Sequence, residues 1–345
     1  MSTTWVQLGT ALGDAAGAVG RQLGGTFLLT GSSLFVGYLA FTLLLAAFLA
    51  VPRGRRRSPR IAVLARALFP RRLLGSASGR ADLGWFLFSV SVFGLGFGWA
   101  MLSGDWIAGR VAAGWALIGH TPVVTLPGWA GVALVTVALF VAYDFAYWLD
   151  HWLSHKLPLL WQFHRVHHGA ESLSLLTNFR VHPVDTAVFA SIVALVVGTV
   201  AGTLHQLLGP AVQPAAIGGS NILVLVAATA LTHLQHSHLW VTLGPRWSRL
   251  LLGPAHHQLH HSIDPRHYDR NFGNCLTLWD RLFGTFCLPA ATREPLRFGL
   301  GDAEAGVHGL RGAVVTPLTG AAKSLGYSAA KASSRSRAWR AHISA

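Results

Sequence analysis

The sequence has few charged residues and very few cysteines. Only 12% of its 345 residues are Asp, Glu, Lys or Arg, about half of the roughly 25% that is usual in soluble domains. The two cysteines, Cys275 and Cys287, provide neither a disulfide framework nor a Cys-x-x-Cys metal site. Because so few charges are available to cover a surface facing water, the composition indicates a membrane protein.

Acidic residues are especially scarce. The chain has 13 of them against 27 Lys and Arg, and its formal net charge is +14. A basic balance of this size also occurs in proteins that bind nucleic acid. Here, however, the basic residues lie in loops and in the C-terminal tail, between apolar runs, which is how membrane proteins distribute them. We therefore expect a membrane environment and no nucleic-acid partner.

Histidine, in contrast, is abundant and crowded. Of the 18 histidines, 15 lie between positions 151 and 267. Three clusters stand out: His151-Trp-Leu-Ser-His155, His164-Arg-Val-His167-His168 and His257-Gln-Leu-His260-His261. On a helix, residues three and four apart share a face, so each cluster is expected to offer two or three nitrogens to a common point. Unrelated surface or core histidines would not repeat one spacing in this way.

Clustered imidazoles indicate a metal site. Imidazole is the commonest protein ligand for zinc, copper, iron and nickel. The eight clustered histidines exceed the roughly four ligands of a tetrahedral zinc. They suit two metals, each with a position left open for substrate or oxygen.

Five apolar runs predict membrane spans at 26–51, 83–102, 129–149, 184–203 and 215–231. A helix of about 20 residues crosses a hydrocarbon core roughly 30 Å thick. Two of the runs could instead lie in the interface, so we expect about four or five spans. The stretch 53–80 carries nine arginines and no acid, which predicts a cytoplasmic loop and places every histidine cluster on the same side.

Three further residues are candidates for bracing the histidines. Asp144 stands within the third apolar run, seven residues before His151 and on nearly the same helical face. A carboxylate at membrane depth is functional by default, and we predict that Asp144 accepts an N–H from a metal-bound histidine. The alternative is a helix-end carboxylate paired with an arginine. Asn271 and Asp280, which follow the third cluster, could also brace histidines.

The succession of motifs resembles the fatty acid hydroxylase/sterol desaturase superfamily over about residues 130–290. It comprises Asp144…His151-x3-His155, Trp161-Gln-Phe-His164-x2-His167-His168, Arg180-x-His182-Pro183, His236-Ser-His238, Pro254-x2-His257-x2-His260-His261, Asn271-Phe-Gly273 and Trp279-Asp280-x2-Phe283-Gly284-Thr285. The resemblance implies an integral membrane oxygenase with a histidine-ligated non-haem di-iron centre. Such an enzyme uses O2 and external electrons to hydroxylate or desaturate an unactivated C–H bond of a lipid, such as a sterol, a fatty acyl chain or an isoprenoid chain.

Carried over residue by residue, the resemblance implies nine metal ligands. They are His151, His155, His164, His167, His168, His236, His257, His260 and His261. Other catalytic or bracing candidates are Asp144, His182, His238, Asn271 and Asp280.

The match has departures from the family pattern. The family often has Asn where His238 stands, and often has Arg where Trp152 stands. His233 could contribute a ligand, and His256 is out of register with the third cluster. His182 could brace the site or belong to a structural turn.

No electron-transfer module is visible in the sequence. It has no Gly-x-Gly-x-x-Gly loop in a strand–helix context and no four-cysteine spacing for an iron–sulfur cluster. The electrons are therefore expected from a separate donor of the ferredoxin or cytochrome b5 type with its reductase. The alternative function is a catalytically silent or zinc-dependent membrane metalloprotein, either a scaffold or a hydrolase. A hydrolase is disfavoured because there is no His-Glu-x-x-His motif.

The fold predicted from these patterns is all-α: a polytopic membrane protein with about four or five transmembrane helices and a cytoplasmic helical cap that holds the dimetal site. Four parts are expected. They are an N-terminal lead (1–25), N-terminal transmembrane helices with the basic loop 53–80 (26–127), the catalytic domain (128–290) and a cytoplasmic tail (291–345).

Overall fold

The computed structural model describes residues 17, 20–50, 71, 75–119, 124–301, 308, 309 and 311–326. Most of the predicted N-terminal lead and of the basic loop 53–80, and the basic stretch 331–342 of the tail, lie outside the described residues. The described residues are mostly helical, as the all-α prediction requires, apart from one small hairpin.

The α-helices are α1 (Val36–Ala50), α2 (Ala77–Leu117), α3 (Gly128–Lys156), α4 (Pro158–His168), α5 (Pro183–Leu208), α6 (Ile222–Ala230), α7 (Gly244–Trp247), α8 (Pro254–His260) and α9 (Leu278–Leu282). Short 3₁₀ turns cover Leu175–Phe179, Thr232–Leu234 and Pro265–His267, and a π-helical turn covers Arg311–Val315. Residues 20–28 and 316–326 are also helical. The hairpin pairs β1 (Ala216–Ile217) with β2 (Ser220–Asn221).

Within the described residues, α3 and α5 are the two helices long and apolar enough to cross a membrane, judged by length and composition. Their 29 and 26 residues exceed the roughly 20 that a span needs. Helix α1, with 15 residues, is shorter. These apolar helices indicate association with a membrane, while the total number of spans stays a prediction.

The predicted span 215–231 is wrong as a single helix. The hairpin occupies its first residues, with Gly218 and Gly219 at φ of 57° and 85° in the turn, the positive values that a tight two-residue hairpin turn requires. Helix α6 then has only nine residues, a length of about 14 Å at the usual rise per residue. Apolar composition alone could not distinguish this short helix from a span.

The predicted span 83–102 ends too early, because α2 continues to Leu117. The reason lies in its packing against α5. A Cβ added at Gly198 of α5 would stand 2.7 Å from the carbonyl oxygen of Gly104, and one added at Gly202 would meet the carbonyl oxygen of Ala108. Two glycines spaced by four therefore let the helix backbones approach closely, as small residues do between membrane helices, and this contact orders α2 beyond the predicted span.

Candidate metal centre

Nine histidines converge near the C-terminal end of α3 and form two neighbouring groups. The first, site A, consists of His151, His155, His164, His168 and His260. The second, site B, consists of His167, His236, His257 and His261. Within each group, one ring nitrogen per residue lies within 4.8 Å of all the others. The nine histidines are the nine proposed as ligands from the sequence, and eight of them are buried.

The histidines of one helix are divided between the two sites. On α4, His164 and His168 face site A, whereas His167 faces site B. The mirror division holds at α8, where only His260 faces site A. The expectation that each cluster points to one place therefore holds for His151 and His155, which both lie in site A, and is wrong for the other two clusters. Consecutive helical residues are about 100° apart around the axis. Histidines at i+3 and i+4 therefore point in different directions, and each can join a different site.

Outer hydrogen bonds determine which ring nitrogen of the site A ligands carries a proton. His151 donates from Nδ1 to the carbonyl oxygen of Phe272 at 2.8 Å, and His260 donates from Nδ1 to that of Arg270 at 2.8 Å. A carbonyl oxygen can only accept, so both rings are protonated on Nδ1 and keep a lone pair on Nε2. His164 Nδ1 lies 3.0 Å from Oδ2 of Asp185, the carboxylate–histidine pairing that commonly supports metal ligands.

Site B has outer contacts of the same kind. His167 donates from Nδ1 to the carbonyl oxygen of Arg180 at 3.3 Å. His236 Nδ1 lies 2.8 Å from Oδ1 of Asn178. The Asn178 amide nitrogen donates to the carbonyl oxygens of Leu175 and His233, so its oxygen faces His236 and must accept. His236 is therefore also protonated on Nδ1.

The remaining ring nitrogens face one another at distances that call for a cation. Nε2 of His236 lies 2.9 Å from Nε2 of His167, and each of these rings has its proton on Nδ1. Two lone pairs so close repel each other unless a positive ion stands between them. Buried Nε2 atoms of His151 and His164 likewise have no hydrogen-bond partner among the described residues. The donor set therefore fits a bound metal ion in each site.

Burial also keeps the ligands neutral. Desolvation, reinforced by the neighbouring histidines, lowers the pKa well below its usual value for His167, His168, His236, His257 and His261. Burial lowers the pKa of His260 to about 3. At neutral pH these rings are uncharged, which is the form that binds a metal.

The structure gives Asp144 a different partner from the one predicted. Its carboxylate accepts the backbone N–H of Cys275 at 2.9 Å and that of Leu276 at 3.3 Å, and the indole N–H of Trp279 at 3.1 Å. The predicted bond to a ligand histidine is therefore corrected: Asp144 anchors the segment before α9 to α3. A carboxylate with no water around it satisfies backbone donors first, because they would otherwise be buried unpaired.

Asn271 and Asp280 act on the ligands through the backbone. Asp280 accepts the backbone N–H of Phe272 at 2.8 Å and that of Gly273 at 2.9 Å. The side chain of Asn271 donates to the carbonyl oxygens of His256 and Cys287. These bonds hold the loop whose carbonyls accept from His151 and His260.

Other candidate histidines stand outside both sites. His182 caps the N-terminus of α5, where its Nδ1 accepts the backbone N–H of Val184 at 3.2 Å. His238 and His233 are half-buried and in neither group. His256, excluded on register, bonds to the carbonyl oxygen of Ser248 and the N–H of Gly253.

Three site residues were missed by sequence reasoning: Asn178, Asp185 and Asp82. Asp185 had a signal, because it is the only acid in the apolar run 184–203 and the rule applied to Asp144 covers it equally. Asn178 has no such signal. Asp82 lies about 70 positions before the first ligand, and only its long-range contacts with Thr177 and Arg180 connect it with the site.

The part of the chain that contains the two sites is similar in sequence to known proteins. A family model described as fatty acid hydroxylase matches residues 136–285, a range that contains all nine histidines of the two sites. Alkylglycerol monooxygenase of Danio rerio is 31% identical over 150 residues, which are 43% of this chain and 29% of that protein. Ornithine lipid hydroxylase OlsE of Rhizobium tropici is 27% identical over 47% of this chain and 44% of that protein.

A third relative, the cholesterol 25-hydroxylase-like protein of Danio rerio, is 29% identical over 46% of this chain and 58% of its own length. No solved structure matches the chain significantly. The chain spans about a third or less of the length of the alkylglycerol monooxygenases that it matches. The family match and these relatives identify residues 136–285 of this chain as a domain of the fatty acid hydroxylase/sterol desaturase superfamily.

Proposed function

We propose that this protein is a membrane-bound non-haem di-iron oxygenase that hydroxylates an unactivated C–H bond of a lipid. The observation that carries the proposal is the pair of adjacent all-histidine sites with their Nε2 lone pairs turned inward. The relatives are named as a monooxygenase and hydroxylases of lipids, which favours hydroxylation over desaturation. The overall reaction is R–H + O2 + 2e⁻ + 2H⁺ → R–OH + H2O.

Iron suits the donor set better than a structural zinc does. Site A offers five nitrogens and site B four, and imidazole binds iron, copper, nickel and zinc. A closed zinc site takes about four ligands, fewer than the five nitrogens of site A. Two bound irons would supply what no side chain can, the activation of dioxygen towards an unreactive C–H bond.

The protein's own residues orient and shield this centre. Carbonyl oxygens of Arg180, Arg270 and Phe272 hold the rings in place. Asp185 adds a negative charge next to His164, which increases the electron donation of that ring and offsets the charge of the metals. Burial of eight of the nine ligands excludes bulk water from the reacting region.

We further propose that the site lies at the cytoplasmic face of a multi-pass membrane protein. His151 and His155 stand in the last turns of α3, and Asp185 stands in the first turn of α5. Two antiparallel helices that cross a membrane would thus place the site at one face. The arginine-rich stretch 53–80 supports the cytoplasm as that side. A separate ferredoxin or cytochrome b5 type donor with its reductase would deliver electrons there.

The test is metal content and oxygenation of the full chain in lipid nanodiscs. We expect about two irons per chain by elemental mass spectrometry, since two sites are present, with a coupled di-iron Mössbauer signal. Lipid extracts incubated with a reductant system and ¹⁸O2 should gain one labelled oxygen. The variants His167→Ala and His260→Ala should lose this activity, whereas His205→Ala, outside both sites, should keep it.

Two results would contradict the proposal. Zinc retained under iron-replete expression, with no ¹⁸O incorporation, would favour a zinc-dependent hydrolase. Full activity in both ligand variants would show that these histidines do not hold the reactive metals.

A further inference from the structure

We propose that the two metal sites are braced independently, and that α2 supplies the brace of site B through the positioning residue Asp82. This inference rests on the proposed binding of one metal in each site. Asp82 lies outside the family match at 136–285, so a helix beyond the matched domain would complete the centre.

The brace of site B is one short segment. Asn178 accepts from His236 through its side chain, and Arg180 accepts from His167 through its carbonyl oxygen. Both residues belong to the turn formed by Leu175–Phe179 and its C-cap. Any displacement of this turn would therefore move the outer partners of two site B ligands together.

Asp82 holds this turn against α2. Its Oδ1 pairs with Nη1 of Arg180 at 3.2 Å, and its Oδ2 accepts the hydroxyl of Thr177 at 2.6 Å. The Asp82 and Arg180 side chains are both 0% exposed. Arg180 also donates from Nε to the carbonyl oxygen of Val166, the residue before His167. Through Arg180, the ion pair therefore connects α2 both to the carbonyl oxygen that accepts from His167 and to the backbone of Val166, next to His167.

Two further contacts extend the attachment along α2. Ser89 donates to the carbonyl oxygen of Phe179 at 2.7 Å. The ring of Phe86 packs edge-on against that of Phe179 with centroids 4.8 Å apart. A fully buried ion pair tolerates the loss of one partner badly, because the other charge is left uncompensated. Asp82 is therefore the point at which the brace can be released.

The brace of site A is built from a different part of the chain. Asn271 has a φ of 56°, the left-handed conformation that Asn adopts more readily than most residues. The carbonyl oxygens on either side of it accept from His151 and His260. Its side chain binds His256 and Cys287, and Asp280 binds the N–H of Phe272. Residues 256–287 thus position two ligands of site A.

The experiment is a cobalt(II) titration of the metal-free full chain in nanodiscs, followed by visible absorption. The wild type should bind two ions. Asp82→Asn should lower the affinity for one cobalt ion by about 10- to 100-fold, the usual effect of removing an outer partner, and leave the affinity for the other ion unchanged. Asp105→Asn is the matched control, because Asp105 is an exposed acid on the same helix.

Combining variants identifies the site whose metal affinity is lowered. Asn178→Leu removes the acceptor of His236, and it should weaken the same single ion both alone and combined with Asp82→Asn. Asn271→Gly keeps the backbone conformation and removes the side-chain bonds, so it should weaken the other ion. Asp82→Asn combined with Asn271→Gly should weaken both.

Several outcomes would overturn the inference. One such outcome is that Asp82→Asn lowers both cobalt affinities equally, and a second is that it lowers neither. A third is that the protein with both Asp82→Asn and Asn271→Gly keeps one affinity unchanged. A wild type that binds fewer than two cobalt ions would contradict this inference and the proposed di-iron centre together. Two bound ions with no ¹⁸O incorporation by the iron form would contradict the proposed function alone.

Discussion

At the scale of single residues, the centre depends on where protons sit on imidazole rings. A histidine that donates from Nδ1 must coordinate through Nε2. Three backbone carbonyls and one amide oxygen impose this on His151, His167, His236 and His260. The ligands are thus prepared for metal by groups that carry no charge, and Asp185 is the carboxylate that binds a ligand ring directly.

A buried histidine outside the two sites gives a prediction about acid stability. Burial lowers the pKa of His233 to about 4, whereas in the unfolded chain it should stay near about 6.5. As pH falls below the unfolded value, the unfolded state takes up the proton first, so the free energy of unfolding decreases until the folded value is reached. His233→Gln should remove about 3 kcal/mol of this decrease.

The measurement is the apparent melting temperature of both proteins in nanodiscs between neutral pH and pH 4, the lowered value of His233. The melting temperature of the wild type should fall more steeply between neutral pH and pH 4 than that of His233→Gln, whatever the offset between the two proteins at neutral pH. Parallel curves would show that His233 is not responsible. The metal-free form is used for both, so that metal release does not contribute.

At the scale of elements, the contact between α2 and α5 decides where the Asp82 end of α2 stands. Gly198 and Gly202 form the surface on which α2 lies. Since α5 also carries Asp185 in its first turn, α2 and site A share one supporting helix. The apolar runs predicted these helices from their composition, but the extension of α2 to Leu117 follows from this packing.

Widening that contact should destabilise the protein. In Gly198→Val, the new side chain meets the carbonyl oxygen of Gly104 and the side chain of Ile107, and overpacking of this kind typically costs about 1–3 kcal/mol. The apparent melting temperature should fall. Gly109→Ala is the control, because a Cβ there has no atom within 4 Å. An unchanged melting temperature in Gly198→Val would show that the two helices are not in close contact.

At the scale of the whole molecule, the topology decides which solution the metal sites face. Asp269 lies beside the sites and is exposed, whereas Gln213 lies in the exposed turn after α5. With α5 as a span, these positions stand on opposite sides of the membrane. The arginine-rich stretch 53–80 predicts that Asp269 is on the cytoplasmic side.

Single cysteines at these positions test the arrangement. In a background with Cys275 and Cys287 replaced by serine, Gln213→Cys should react with a membrane-impermeant maleimide in intact cells. Asp269→Cys should react only after lysis. Labelling of both positions in intact cells, or of Asp269→Cys alone, would refute the proposed orientation.

The sequence by itself determined the residue types of the centre and their concentration in one part of the chain. Helical spacing indicated that His164, His167 and His168 belong together, and the same spacing recurs at His257, His260 and His261. Spacing along one helix carries this information because periodicity is local. The motifs also determined the family, which the match at 136–285 confirms.

Only the tertiary structure decided how these histidines divide into two sites and what holds them. The division depends on the approach of α3, α4 and α8 from different directions. The carbonyls of Arg180, Arg270 and Phe272 have no signature in the sequence, because every residue has a carbonyl. Asp82 meets Arg180 across 98 positions of chain, a contact that no local pattern encodes and that arises from helix packing.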